Sequence, residues 1–299
     1  MIRAHRSSRR DLRNGLLFIT PWAIGFLVFT AYPLVSSFWY SLTDFGTMRA
    51  PNFVGLRNYV DLFVEDALFW KALYNTFYYA AFALPLGAIV SLSLAILLNR
   101  KLPGVTIFRT IYFLPSILPL VAVSIVWQLL LIPQTGLVNV MIRSVGLKAP
   151  GWFADPNWAK AGLVLISVWK IGDTMIIYLA ALQDVPVQLT EAAILDGANA
   201  WKRLTNVTLP LISPAILFNV ITGMVGTLQY FTTVYVLTNG DGGPVNSTMM
   251  YSLLLYRNAF KYLKMGYASA MAWILLVITL GITLLIMRAS GKLVYYGGK

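Results

Sequence analysis

Long apolar runs separated by short polar connections dominate the pattern of this chain, and no shorter hydrophobic period competes with them. Crossing a bilayer's hydrocarbon takes about 20 helical residues at about 1.5 Å each. Six stretches reach that length: residues 15–38, 73–98, 108–131, 161–182, 211–237 and 267–287. The first, second and last are almost uninterrupted. The third contains Pro115 and Pro119, which remove backbone donors and predict a kink or a break. The fourth carries Lys170 and Asp173 and is the weakest span by hydropathy alone. The pattern therefore predicts an all-α integral membrane protein with six transmembrane helices. A single membrane domain, 15–287, lies between a basic N-terminal segment, 1–14, and a short tail, 288–299.

Composition agrees and excludes other classes. Of 299 residues, 58% are hydrophobic and 11% charged, whereas soluble domains carry about 25% charged residues. The chain has no cysteine, which rules out disulfides, thiolate zinc sites and cysteine nucleophiles. Its one histidine, His5, sits in the basic N-terminus, so neither a His-rich metal site nor a Ser-His triad can be built in the apolar body. The net charge of +12 is read as loop charge that sets topology, and no nucleic-acid partner is expected.

Arg3, Arg6, Arg9, Arg10 and Arg13 directly precede the first span, and Arg100, Lys101, Arg109, Lys202, Arg203, Arg288, Lys292 and Lys299 fall on the same side of a six-span topology. The positive-inside rule then places both termini in the cytoplasm. The Ser8–Arg13 stretch has a loose twin-arginine character, but the apolar run after it is too long for a signal peptide, and an uncleaved anchor is expected. Outside, residues 41–71 mix aromatic, acidic and turn residues and predict a short amphipathic element on the membrane surface. Asn239-Gly240-Asp241-Gly242-Gly243-Pro244 is a turn signal opening the segment 238–265.

The longest inside connection, 184–210, breaks the pattern. Thr190 can cap a helix whose first turn holds Glu191, Gly197 marks a helix end or bend, and Pro210 sits where the fifth span can begin. A short helix, a break and a second short helix are expected. Ala192, Ala193, Gly197 and Ala198 give the first of these a small-residue surface that another backbone can approach, flanked by the charges of Glu191 and Asp196. Composition leaves two readings open: a docking helix, or an amphipathic helix lying on the membrane.

Glu191-Ala192-Ala193-x-x-Asp196-Gly197-Ala198, followed by Thr208-Leu209-Pro210-Leu211 and Pro214, resembles the EAA loop of ABC importer permeases. Further likeness to the permeases of the maltose, lactose and glycerol-phosphate type runs through most of the chain. It includes Phe53-Val54-Gly55-Leu56-Arg57-Asn58-Tyr59, Phe113-Leu114-Pro115, Val168-Trp169-Lys170 and Gly266-Tyr267-Ala268-Ser269-Ala270. Three departures stand out: Leu204 where the family often has Phe, Val207 where it often has Ile, and Asp241 inserted in the Gly-Gly-Pro turn. The large external domain and extra N-terminal spans of the enterobacterial maltose permease have no counterpart in the sequence.

The resemblance implies the type I ABC importer permease fold in a bacterial cytoplasmic (inner) membrane. It implies a second, non-identical permease subunit, two ATP-binding subunits and an extracytoplasmic sugar-binding protein as partners, with a sugar as substrate. No G-x-x-x-x-G-K-[ST] phosphate loop is present, so this chain is expected to be a non-enzyme without a cofactor, ATP and Mg belonging to the ATPase subunits. Glu191, Ala192, Ala193, Asp196, Gly197, Ala198 and Pro210 would couple it to an ATPase. The family's sugar-contact positions, counted without gaps from Glu191, fall on Ile166, Trp169, Lys170 and Asp173, then Gly223, Gly226, Thr227 and Tyr230.

That set suits a carbohydrate, with aromatic faces for C–H surfaces and polar groups for hydroxyls. The structural alternative is that Gly223 and Gly226 allow helices to approach and that Tyr230 packs between them. Lys170 and Asp173, at i,i+3 spacing, would share a helix face and either pair or line a cavity. A secondary transporter using the two for ion coupling is the rival reading.

Overall fold

The computed structural model describes residues 9–46, 50–100, 103–291 and 294–295; Arg3, His5, Arg6, Arg49, Lys101, Lys292 and Lys299 lie outside them. Among the described residues the elements are helical, apart from one antiparallel bridge between Thr43 and Phe53. Four helices are long and apolar enough to cross a membrane: Leu12–Ser41, Ala67–Leu98, Ala200–Leu237 and Met265–Ser290. Two bent pairs complete the set of six when each pair counts as one span. These are Val105–Ile117 with Leu120–Leu130, bent by 100°, and Pro156–Trp169 with Gly172–Gln183, bent by 45°.

The bends have local causes. Leu118 precedes Pro119 and is extended, at φ −69° and ψ 139°, because the proline ring clashes with a helical residue before it. The third span is therefore broken rather than kinked. Pro33 and Pro210 are tolerated differently. Each follows a π turn, Leu27–Ala31 and Leu204–Thr208 respectively, which absorbs the missing donor while the helix continues.

The chain divides into two compact units. The first comprises Met1–Glu65 and Asn258–Ile274. Here the segment read as a short element between the first two spans forms a helix, Arg57–Val60, that runs into a π turn, Asp61–Glu65. The buried Asn58 donates from Nδ2 to the carbonyls of Ser41 and Thr43, both at 2.8 Å, and Tyr59 shares a 2.8 Å hydroxyl bond with Ser41. Gly266 donates its N–H to the Phe45 carbonyl at 2.8 Å. A Cβ at 266 would collide with the Thr43 carbonyl oxygen, so only glycine permits this approach.

The second unit comprises Asp66–Arg257 and Leu275–Lys299. Its axis is Ala67–Leu98, started by Asp66, whose carboxylate accepts from the N–H groups of Leu68 and Phe69 at 2.8 and 3.1 Å. Small residues on this helix (Ala80, Ala83, Ala95) are buried. Ala95 and Leu98 join Met175, Tyr178, Leu179, Leu182 and Ile212 in one apolar core. That core binds the second, fourth and fifth spans at the end where residues 184–210 emerge.

Asn58→Leu should remove both side-chain bonds to buried carbonyls, a loss of about 1–3 kcal/mol for each group left unsatisfied. Thermal unfolding of the detergent-solubilised protein should show a lowered midpoint. An unchanged midpoint would mean that Asn58 does not hold this unit together.

Candidate functional site

Two places in the second unit gather the candidate residues. The first is the connection after the fourth span. Its helix runs Val187–Leu195 and is entered through Pro186, so Thr190 lies inside the helix and is not its cap. Proline's fixed φ and missing donor suit the entry to a helix, where the first N–H groups have no partner anyway.

The helix ends as the sequence indicates. Gly197 takes φ +77°, its N–H bonds the Ile194 carbonyl at 3.0 Å, and the Ala198 N–H bonds the Ala193 carbonyl at 2.9 Å. This is a Schellman ending, which needs a left-handed residue at the position of Gly197. Open space surrounds a Cβ built there, so backbone conformation and not crowding requires the glycine.

Asn199 then caps the next helix by accepting from the Lys202 N–H at 2.9 Å, and Arg203 Nη1 donates to the Ala198 carbonyl at 2.9 Å. The expected second short helix, Ala200–Arg203, is not separate. It continues through the π turn into Leu209–Leu228, so the fifth span starts ten residues earlier than Pro210 suggested. Its direction is thus transmitted to the Glu191 helix through a fixed turn.

Glu191, Ala192, Asp196 and Gly197 are exposed, whereas Ala193, Ala198 and Pro210 are partly buried. Neither carboxylate forms an ion pair with a described residue. Leu195 and Trp201 beside them are 89% and 70% exposed. Behind this face Ala192, Ala193 and Asp196 share a groove of about 430 Å³ with Pro210 and Leu211 of the fifth span and with Tyr295 of the tail. Tyr295 is held there by its N–H donating to Ser213 Oγ at 2.9 Å. Nothing in the sequence pattern marks Tyr295, whose bond reaches across 82 residues, whereas Asn199 and Arg203 act within a few residues and the cap preference of asparagine was a local signal that the sequence reading missed.

The second place is a cavity of about 140 Å³ between the second, fourth and fifth spans. The fourth span contributes Ser167, Lys170, Thr174 and Tyr178, at and beside the break between its two helices. From the fifth come Asn219, Gly223 and Thr227, and from the second Tyr79 and Leu84. Of the predicted contact residues, the cavity therefore gathers Lys170, Gly223 and Thr227. Tyr230 stands behind it, stacked on Tyr79 with ring centroids 4.3 Å apart.

Trp169 packs edge-on against Trp127, centroids 5.8 Å apart, and Ile166 is buried. Gly223 faces Leu84, while a Cβ at Gly226 would meet nothing, so close helix approach accounts for the first glycine and not the second. Lys170 and Asp173 do not share a helix face. Lys170 closes one helix, and Asp173 lies exposed in the first turn of the next with its N–H donating to Ser116 Oγ at 3.2 Å. No ion pair joins them. Tyr79 escaped the sequence reading because the counted positions came from the fourth and fifth spans alone, while Tyr178 and Asn219 stand on those spans at positions outside the counted set.

Among the described residues, no three His, Cys, Asp or Glu side chains come together as a metal site would require. Residues 68–293 match the family described as "Binding-protein-dependent transport system inner membrane component". The probable ABC transporter permease protein YesP of Bacillus subtilis (strain 168) is 40% identical to this chain, over 98% of it and 96% of the relative. The lactose transport system permease protein LacF of Rhizobium radiobacter is 38% identical, over 88% and 89%. A chain in the crystal structure of a bacterial alginate ABC transporter, in complex with an alginate pentasaccharide-bound periplasmic protein, superposes with a TM-score of 0.83. It is 26% identical, with 95% of this chain and 96% of that one covered. Relatives and neighbours are transport permeases, and none of them favours a secondary transporter. This chain belongs to the family of binding-protein-dependent transport system inner membrane components, as a multi-pass ABC importer permease.

Proposed function

We propose that the chain is one half of the translocation pathway of an ATP-driven sugar importer in a bacterial cytoplasmic membrane. A homologous, non-identical permease subunit supplies the other half, two ATP-binding subunits attach at residues 184–210, and an extracytoplasmic binding protein delivers the sugar. Residues 15–287 form the membrane domain, with 1–14 and 288–299 on the cytoplasmic side. The sugar assignment draws on relatives such as the lactose system, and the binding protein on the solved complex.

The observation that carries this reading is the Val187–Leu195 helix. A rigidly terminated helix that presents unpaired Glu191 and Asp196 beside exposed Leu195 and Trp201 has the chemistry of a docking face. A helix seated only on lipid would have no use for a fixed turn into the next span. In this role the Glu191–Ala198 element sits in a groove of one ATPase. Closure of the ATPase pair on ATP displaces the helix, and the fixed turn carries that displacement into the fifth span, where Gly223 and Thr227 line the cavity. The cavity is thereby opened alternately to each side, a two-state equilibrium biased by nucleotide and by the binding protein. Hydrolysis belongs to the partners. Lys170, Thr227 and the Tyr79–Tyr230 stack would hold the sugar, with Asp173 and Trp169 at the margin of the site.

ATPase activity of the reconstituted transporter with its binding protein, scanned across candidate sugars, tests the reading. One sugar should stimulate hydrolysis and uptake, and the double variant Glu191→Arg, Gly197→Pro should abolish the stimulation. Uptake by this chain alone, driven by an ion gradient and indifferent to the variant, would overturn it. Gly197→Ala alone should weaken coupling by about tenfold, since a left-handed alanine costs about 1–2 kcal/mol. Tyr295→Ala should lower sugar moved per ATP hydrolysed without preventing assembly. A coupling ratio equal to wild type would show that the tail does not brace the helix.

A further inference from the structure

We propose that the transported sugar is acidic, and that Lys170 receives its carboxylate in the cavity between the second, fourth and fifth spans. The inference rests on the importer reading and adds the chemical class of the substrate. Lys170 is the one formally charged residue among the described residues that line this cavity. It sits at the break of the fourth span, and its ammonium makes no ion pair with a described carboxylate. Asp173, three residues on, is exposed and is not among the residues that line the cavity. A charge at membrane depth is costly unless something compensates it, and among the described residues no carboxylate pairs with Lys170.

A second donor points into the same space. Asn219 is 7% exposed and lines the cavity, and its Nδ2 is buried beside the Tyr178 phenol, which can engage at most one of the two amide N–H groups. Buried donors are normally satisfied, so an orphan in a cavity calls for an acceptor from outside the chain. The hydroxyls behave in the opposite sense. Ser167 and Thr227 donate to the carbonyls of Val164 and Met224 at 2.7 and 2.9 Å, leaving lone pairs for a ligand.

The cavity thus offers acceptors for sugar hydroxyls and, separately, an ammonium and an amide N–H for a group that only accepts. A neutral sugar uses the first pair and leaves Lys170 uncompensated. A uronate uses both, because its carboxylate accepts without donating and carries the missing charge.

The test compares trigalacturonate with its fully methyl-esterified form, equal in length and stripped of charge, alongside lactose as a neutral probe. Uptake is measured in proteoliposomes holding the complete transporter with saturating binding protein, whose own affinity for each probe is determined separately. The wild type should import trigalacturonate in preference to the ester. Lys170→Gln should lower trigalacturonate uptake about tenfold, the scale of one charge-assisted hydrogen bond, and lower uptake of the ester by a clearly smaller factor, since a neutral hydrogen bond is all that the ester loses. Lys170→Arg should retain most of the preference, which a role in packing would not allow.

Equal losses for acid and ester in Lys170→Gln would overturn the inference by making Lys170 structural, for instance as the ion-pair partner of another subunit. Unchanged trigalacturonate uptake in that variant would overturn it too. ATP-driven uptake of lactose with none of trigalacturonate would defeat the acidic assignment and leave the importer reading standing. Failure of all three probes to support ATP-driven uptake would count against both.

Discussion

A single hydroxyl bridges the two interrupted spans of the larger unit. Ser116 lies just ahead of the Leu118–Pro119 break in the third span, and its Oγ accepts from the N–H of Asp173, just beyond the break in the fourth. Backbone groups freed at membrane depth cost several kcal/mol unless protein or water satisfies them. The interruption at Lys170–Ile171 is tolerable because the third span supplies that acceptor. The contact needs Gly172: a Cβ there would come within 2.6 Å of Ser116 Oγ and 2.8 Å of the Tyr112 carbonyl. A serine, a glycine and two helix ends that fit one another therefore permit a cavity at the break.

From that joint the function follows along one path of packed elements. The break turns Lys170 and Thr174 toward the fifth span, where Asn219, Gly223 and Thr227 complete the wall. Below it, the core of Ala95, Leu98, Met175, Tyr178, Leu179, Leu182 and Ile212 locks the same three spans together. Beyond that core the fourth span leads into the Val187–Leu195 helix and the fifth emerges from it, joined by the Gly197 turn, the Asn199 cap and the Arg203 bond. A force on the helix has little slack to absorb it before the cavity, because each link is a hydrogen-bonded turn or a packed interface.

The tail adds a residue to the groove beside that helix. Tyr295 closes the groove between the Glu191 helix and the start of the fifth span, and its bond to Ser213 fixes it to the span rather than to the helix.

Much was legible in the sequence because the bilayer imposes so strict a rule. Runs of twenty apolar residues predict spans, Pro115 and Pro119 predict a kink or a break in the third, and Gly197 predicts a helix end or bend, since each consequence follows from local sterics and from the absence of water. The Glu191 motif was recognisable through its resemblance to a known loop, whereas composition by itself left a docking helix and a membrane-surface helix both open. What only the tertiary structure decided is which groups meet. The i,i+3 spacing put Lys170 and Asp173 on one face, yet a break between them, permitted by the adjacent Gly172 and by Ser116 from the distant third span, left one lining the cavity and the other exposed. Tyr79, Asn219 and Tyr295 joined their sites in the same way. Helix periodicity fixes where a side chain stands on its own helix, but the partner it faces depends on how the helices pack, and that is set by contacts between residues far apart in the chain.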